Sequence, residues 1–199
     1  MRRLLDWTVR PVLRLAVRIL PESDPWERLH AVPTLAMYGA GARHDFAEYL
    51  AGRSRVEVAT IDEIQEWLLR CRYVSDQALF GEGDHWQHPT AFERRGAGDC
   101  EDFALWGWRK LVELRIDADF VTGYCLEDGV LDVRHAWIVF RHDGVEYLFD
   151  PVLRDREAML RPLDEVRDAY IPQFGVDGTG RRFAYAGCLV VERRHARRR

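Results

Sequence analysis

Three residues in this chain have the makings of covalent catalysis: Cys100 within "GAGDCEDFALWGW", His135 within "RHAWIVF" and Asp150 at the end of "VEYLFD". A thiolate is a nucleophile, an imidazole can take and return a proton, and a carboxylate can orient that imidazole. The neighbours of Cys100 oppose this chemistry, because Asp99, Glu101 and Asp102 are negative and a thiolate beside them is harder to form. Lowering a thiol pKa from about 8.5 to roughly 5.5 takes about 4 kcal/mol of differential stabilisation. A helix N-terminus supplies only about 0.3–2 kcal/mol. An imidazolium at about 4 Å supplies near 4 kcal/mol at an effective dielectric of about 20, and each unscreened carboxylate at about 7 Å takes back roughly 2 kcal/mol. His135 is therefore the larger favourable contribution. Residues one apart on a helix do not face each other, so Asp99 and Glu101 are expected to project to either side of Cys100. Asp99 and Asp102 are also suited to capping. Asp99 and Glu101 offer the hard oxygens that calcium takes, with carbonyls, waters or other acids completing the shell.

These residues need elements to hold them. A helix from Asp99 to about Arg115 puts Cys100 in its first turn and gives Phe103, Trp106, Leu111 and Leu114 as apolar surface. Upstream, "TIDEIQEWLLRCR" carries a capping box, Thr60 with Glu63, and an apolar stripe of Ile61, Ile64, Trp67, Leu68 and Cys71, so Cys71 is expected in the core. The stretch from Tyr73 to Gly98 reads as loop, with a short helix after Pro89. Downstream, "ADFVTGYC", "RHAWIVF", "VEYLFD" and "FAYAGCLVVE" read as strands, with "EDG" and "HDG" as hairpin turns. A hairpin through "HDG" brings Asp150 beside His135. Helices followed by antiparallel strands make an α+β domain.

Composition narrows the alternatives. The chain of 199 residues is 47% apolar with seven Trp, which suits one globular domain. Of the 29 Lys and Arg residues only Lys110 is a lysine, a bias better explained by GC-rich coding than by a nucleic-acid surface. No nucleic-acid partner is expected, and Trp106, Trp108 and Trp137 read as core. His85 and His88 lack the spacing of a zinc module. Cys71, Cys100, Cys125 and Cys188 form no disulfide-like framework, which points to reduced thiols and a cytoplasmic location. In "MRRLLDWTVRPVLRLAVRIL", Asp6, Arg10, Pro11, Arg14 and Arg18 interrupt any signal-peptide core or membrane span. That segment is expected to pack on its own domain, a basic amphipathic membrane contact being the alternative. The terminal "RRHARRR" is expected to be a solvated, disordered tail.

The motif Gly-Asp-Cys-Glu-Asp, following "WQHP" and followed by "RHAWIVF" and "YLFDP", resembles the bacterial transglutaminase-like cysteine peptidases of the wider papain-like superfamily. The resemblance spans roughly residues 55–155. It implies a papain-like, transglutaminase-like α+β core with Cys100 at the N-terminus of a central helix packed on an antiparallel sheet. Residues 1–50 then form a helical extension, 51–191 the peptidase domain and 192–199 the tail. By resemblance Cys100 is the nucleophile, His135 the base and acid, and Asp150 the orienting carboxylate. Gln87 or Trp86 supplies an oxyanion donor beside the Cys100 backbone N–H; no cofactor is required, and where calcium is bound, as in some relatives, Asp99 and Glu101 are its ligands. The implied reaction is hydrolysis, or acyl transfer, at an amide bond of a protein or peptide. Two other readings stay open: a catalytically idle fold that binds a protein partner, and a zinc site of Cys100, His135 and Asp150. The family's exported members carry a signal that is not read here, and Pro151 departs from many relatives.

Overall fold

The computed structural model describes residues 24–42, 45–127 and 130–197. In chain order the elements are β1 (Arg28–Leu29), α1 (Phe46–Tyr49), α2 (Ile61–Arg70), β2 (Arg72–Tyr73), α3 (Asp76–Phe80), α4 (Pro89–Arg95), β3 (Ala97–Gly98) and α5 (Cys100–Glu113). Then come β4 (Ala118–Glu127), β5 (Val130–His142), β6 (Val145–Phe149), α6 (Arg156–Met159), β7 (Leu160–Pro162), α7 (Leu163–Val166), β8 (Tyr170–Val176), β9 (Arg182–Tyr185) and α8 (Gly187–Arg197). Among the described residues seven strands form one sheet in the order β1-β9-β8-β4-β5-β6-β7, antiparallel throughout, while β2 and β3 make a separate parallel pair.

The helix that begins at Cys100 lies against the middle of this sheet. α5 packs on β4 and β5, burying Phe103, Ala104, Trp106, Trp108 and Leu111 against Phe120, Ala136, Ile138 and Phe140. Gly107 permits that approach, since a Cβ there would stand 2.8 Å from Ile138 Cδ1. Trp106 stacks on Trp67 of α2 with ring centroids 3.9 Å apart, and Trp108 Nε1 donates to the Ala118 carbonyl at 3.0 Å. Trp67 reaches that ring because α2 is fixed at its start: Thr60 Oγ1 accepts from Glu63 N–H, and Glu63 Oε2 accepts from Ala59 N–H. The opposite face of the sheet carries a second cluster of Val121, Trp137, Val139, Leu148, Leu163 and Tyr185, with Trp26 against it.

The β5–β6 turn forms as its sequence requires. Asp143 and Gly144 adopt φ of +48° and +80°, the left-handed pair of a two-residue hairpin, and His142 pairs with Val145 across it. The residues of the "EDG" turn at 128–129 lie outside the described residues.

Three expectations need correction. "FAYAGCLVVE" is not one strand: β9 ends at Tyr185 and α8 starts at Gly187, where a Cβ would collide with the Pro172 carbonyl oxygen at 1.9 Å. The β-branched run at Val190–Val191 is overruled by packing that buries Cys188, Leu189 and Val191. α8 also runs on to Arg197, through most of the expected disordered tail. The described part of the first 50 residues, expected as a helical extension packed on the core, includes a strand, β1, paired with β9, while Tyr38, Phe46 and Tyr49 are buried in the main core. The basic segment at 1–23 lies outside the described residues. Among those described, no helix is long and apolar enough to cross a membrane.

Candidate active site

His135 and Asp150 meet as the hairpin dictates. Ile138 pairs with Phe149, so the same register carried on one residue sets Asp150 opposite Trp137 and diagonal to His135 on one face. His135 Nε2 lies 2.8 Å from Asp150 Oδ2, and the Asp150 side chain is almost wholly buried. A second hydrogen bond fixes the carboxylate: Tyr170 Oη donates to Asp150 Oδ2 at 2.9 Å. With Nε2 engaged, Nδ1 is the ring nitrogen left for other chemistry.

Cys100 reaches the same strand from the other side. It opens α5, which packs on β5, and the backbone N–H of Ala136, the residue after His135, is a weak favourable influence on its thiolate. Its Sγ donates to Glu101 Oε2 at 3.2 Å. Burial first, then the charge of Glu101 and of Asp99, push the thiol well above the usual cysteine range. The expectation that Glu101 projects clear of the sulfur is thus overturned, and in this arrangement burial together with the carboxylates outweighs the favourable influences on the thiolate.

The capping expectation for the acids also fails. Asp99 makes no side-chain cap bond; its Oδ2 accepts from Asp76 N–H at 3.3 Å. Asp102 turns to Gln87, accepting its backbone N–H at 2.7 Å and its side-chain amide. The carboxylates concentrate instead. Ligand oxygens of Asp76, Asp84 and Glu101 lie within 4.8 Å of one another, as do those of Asp76, Asp99 and Asp102. Burial and mutual repulsion raise Asp99 and Asp76, raise Glu101 well above the carboxylate range, and push Asp102 up to about 7. Asp76 Oδ1 and Asp99 Oδ1 are buried with no hydrogen-bond partner among the described residues. Hard oxygens with spare lone pairs are the donor set a divalent cation such as calcium takes, so these residues fit one.

Trp86 and Gln87 are tied down. Trp86 Nε1 donates to Asp84 Oδ1 at 2.8 Å. The Gln87 amide nitrogen donates to the Ala97 carbonyl at 3.0 Å and to Asp102, and its oxygen accepts from Arg95 Nε at 3.0 Å. His88 caps α4, its Nδ1 accepting from Thr90 N–H.

A further cysteine was not foreseen. Sγ of Cys125, a nitrogen of His135 and an oxygen of Asp150 lie within 4.8 Å of one another. Strand alternation contained the signal: Gly123 pairs with His135, so Cys125 two residues on shares its face, and Cys125 pairs with Tyr170 on the other side. The zinc reading expected Cys100 in that grouping; Cys125 occupies the place.

No family profile and no curated protein matches the chain. Among solved structures it is similar to Legionella pneumophila LapG, with 18% identity over 90% of this chain and 88% of that one and a TM-score of 0.50. The calcium-bound form of LapG gives 16% identity, 83% and 82% coverage and a TM-score of 0.46. A Cytophaga hutchinsonii protein described as a candidate cysteine protease gives 21%, 65%, 50% and 0.37, and a TGase gives 16%, 56%, 30% and 0.36. The antiparallel sheet, the helix opening at Cys100 and the likeness to LapG over most of both chains together mean that this chain has the α+β fold of LapG.

Proposed function

We propose that the chain is a thiol-dependent hydrolase or acyltransferase acting on an amide bond of a protein or peptide. The observation that carries this reading is the 2.8 Å His135–Asp150 hydrogen bond on β5, the strand against which the helix opening at Cys100 packs. In this mechanism His135 takes the Cys100 proton at Nδ1 while Asp150 holds Nε2, and the thiolate attacks the amide carbonyl. The imidazolium then protonates the departing amine, leaving a thioester that water or a second amine resolves. The backbone N–H of Cys100 at the start of α5 is one oxyanion donor. Gln87 or Trp86 is the other, and either must first exchange a bond it now makes with Asp102 or Asp84.

Calcium held by Asp99 and Glu101, with Asp76, Asp84 and Asp102 near enough to assist, supplies the positive charge that offsets these acids when bound. His135 and Cys100 would then exchange a proton against a weaker negative field at the sulfur. One observation favours the second reading, an idle fold whose groove binds a protein partner: the buried Cys100 thiol donates its hydrogen to Glu101 at 3.2 Å.

Iodoacetamide alkylation of Cys100 across pH separates the two. Fast labelling that persists below the ordinary thiol range with calcium, and that loses its low-pH limb in His135→Ala, is the result expected of the enzyme. Slow labelling that follows an ordinary thiol titration in both proteins, with or without calcium, would overturn it in favour of the binding module.

A further inference from the structure

The sheet face that holds the His135–Asp150 pair offers a third ligand that the proposed chemistry does not use. Cys125 Sγ, His135 and Asp150 present one sulfur, one imidazole nitrogen and one carboxylate oxygen within 4.8 Å of one another. Sulfur, nitrogen and oxygen in that number are the donor set of a three-ligand zinc site with an open fourth position, and unlike the all-oxygen acidic cluster they do not suit calcium. The setting is also that of a built metal site. Asp150 is buried, and Tyr170 Oη holds its Oδ2 at 2.9 Å, the outer hydrogen bond that fixes a ligating carboxylate. The β4–β5 register shifts between Cys125 and Leu126, and an irregularity of that kind re-aims a side chain where regular pairing would not.

We infer that Cys125, His135 and Asp150 form a zinc site, and that zinc there takes the imidazole away from Cys100. The second part rests on the hydrolase reading above; the first does not. Burial and the charge of Asp150 keep the Cys125 thiol protonated, up to about 12, so it is no nucleophile at neutral pH. Zinc displaces that proton to solvent and forms the Zn–S bond in its place. His135 gives zinc a ring lone pair and exchanges its bond to Asp150 for a shared metal, so the ring turns from base to ligand. No redox change is involved. The consequence is reversible inhibition: zinc binds and the Cys–His pair is broken; a chelator removes it and the pair reforms.

The test needs no substrate. Metal-free protein is titrated with Co²⁺ as a spectroscopic stand-in for zinc, and zinc is then added to displace it. One equivalent of cobalt producing a thiolate charge-transfer band is expected in wild type and in Cys100→Ser. The band should be lost in Cys125→Ser, Cys125→Ala and His135→Ala, with zinc affinity falling at least tenfold. No band, or a band lost with Cys100→Ser and kept with Cys125→Ser, overturns the site. In parallel, zinc should slow Cys100 alkylation at least tenfold in wild type and leave it unchanged in Cys125→Ser; equal slowing in both overturns the inhibitory role. Failure of the hydrolase reading shows separately, as Cys100 labelling in metal-free protein that His135→Ala does not alter.

Discussion

The Cys100 thiol donates its hydrogen to Glu101, the residue that follows it, at 3.2 Å. A nucleophile bonded to its own neighbour's carboxylate is held in the unreactive form, and the charge of Asp99 adds to the effect. Because burial raises both Asp99 and Glu101 and the charge of Asp99 raises Glu101 further, removing one leaves charge on the other. The informative variant is therefore Asp99→Asn with Glu101→Gln. Its alkylation profile should move to lower pH by about one unit or more, roughly tenfold faster labelling at neutral pH. Calcium should no longer shift it. A profile identical to wild type would remove the acids from the control of Cys100.

The same cluster sets a pH dependence of stability. Burial and the charges of Asp99 and Asp76 push Asp102 from 3.8 up to about 7. Between about pH 4 and 7 the folded state keeps a proton that the unfolded chain has released, so the unfolded chain binds fewer protons and stability falls as pH rises. This contribution is fully present below about pH 4 and lost as pH passes about 7. Thermal unfolding should give a lower Tm at pH 8 than at pH 5, and Asp102→Asn should flatten that difference. Calcium should restore the Tm at pH 8. A Tm that rises steadily from pH 5 to 8 in wild type would contradict the placement of these acids.

The parts legible in the sequence are those fixed by local geometry. Asp143 and Gly144 announce their turn because few residues accept left-handed φ, and the turn alone carries Asp150 to His135. Thr60 and Glu63 announce the start of α2 for the same kind of reason. The parts that stayed hidden depend on partners distant in the chain. Asp99 reads as a cap until Asp76 is folded beside it, and Asp102 until Gln87 is. β8 is masked by Pro172 and by the charged residues before it, and without β8 neither Tyr170 nor the setting of Cys125 can be placed. Val190 and Val191 have strand propensity, yet burial of Cys188, Leu189 and Val191 makes the segment helical.

Asp150 and Tyr170 should affect Cys100 through His135 and in a fixed order. Asp150→Ala frees Nε2 and unpins the ring, so the low-pH limb of Cys100 labelling should disappear. Tyr170→Phe removes one hydrogen bond to a charged carboxylate, worth about 1.5–3 kcal/mol, and leaves the His135–Asp150 bond in place. That limb should weaken and shift, while labelling at high pH, where the thiol ionises unaided, stays at the wild-type rate. A uniform loss of labelling at every pH in either variant would mean general structural damage and no positioning role.

Gly123 is the residue on which the alignment of this face turns. It pairs with His135 on β5, and the β4–β8 register shifts between Thr122 and Gly123 so that Pro172 lies across from it. A Cβ at this position would stand 2.1 Å from the Ile171 carbonyl oxygen and 2.7 Å from the Trp137 ring. The first of these is backbone and cannot swing aside, so β8 must separate from β4. Gly123→Ala should cost about 3 kcal/mol or more, at the upper end for overpacking, and lower the Tm by roughly 6–12 °C. Because Tyr170 stands on β8 and Asp150 depends on it, the folded fraction should also lose the Cys125-dependent cobalt band and the low-pH labelling of Cys100 together. A variant with wild-type Tm and both signals intact would show that β8 does not approach β4 this closely, and that the register which brings Cys125, His135 and Tyr170 to one face is wrong.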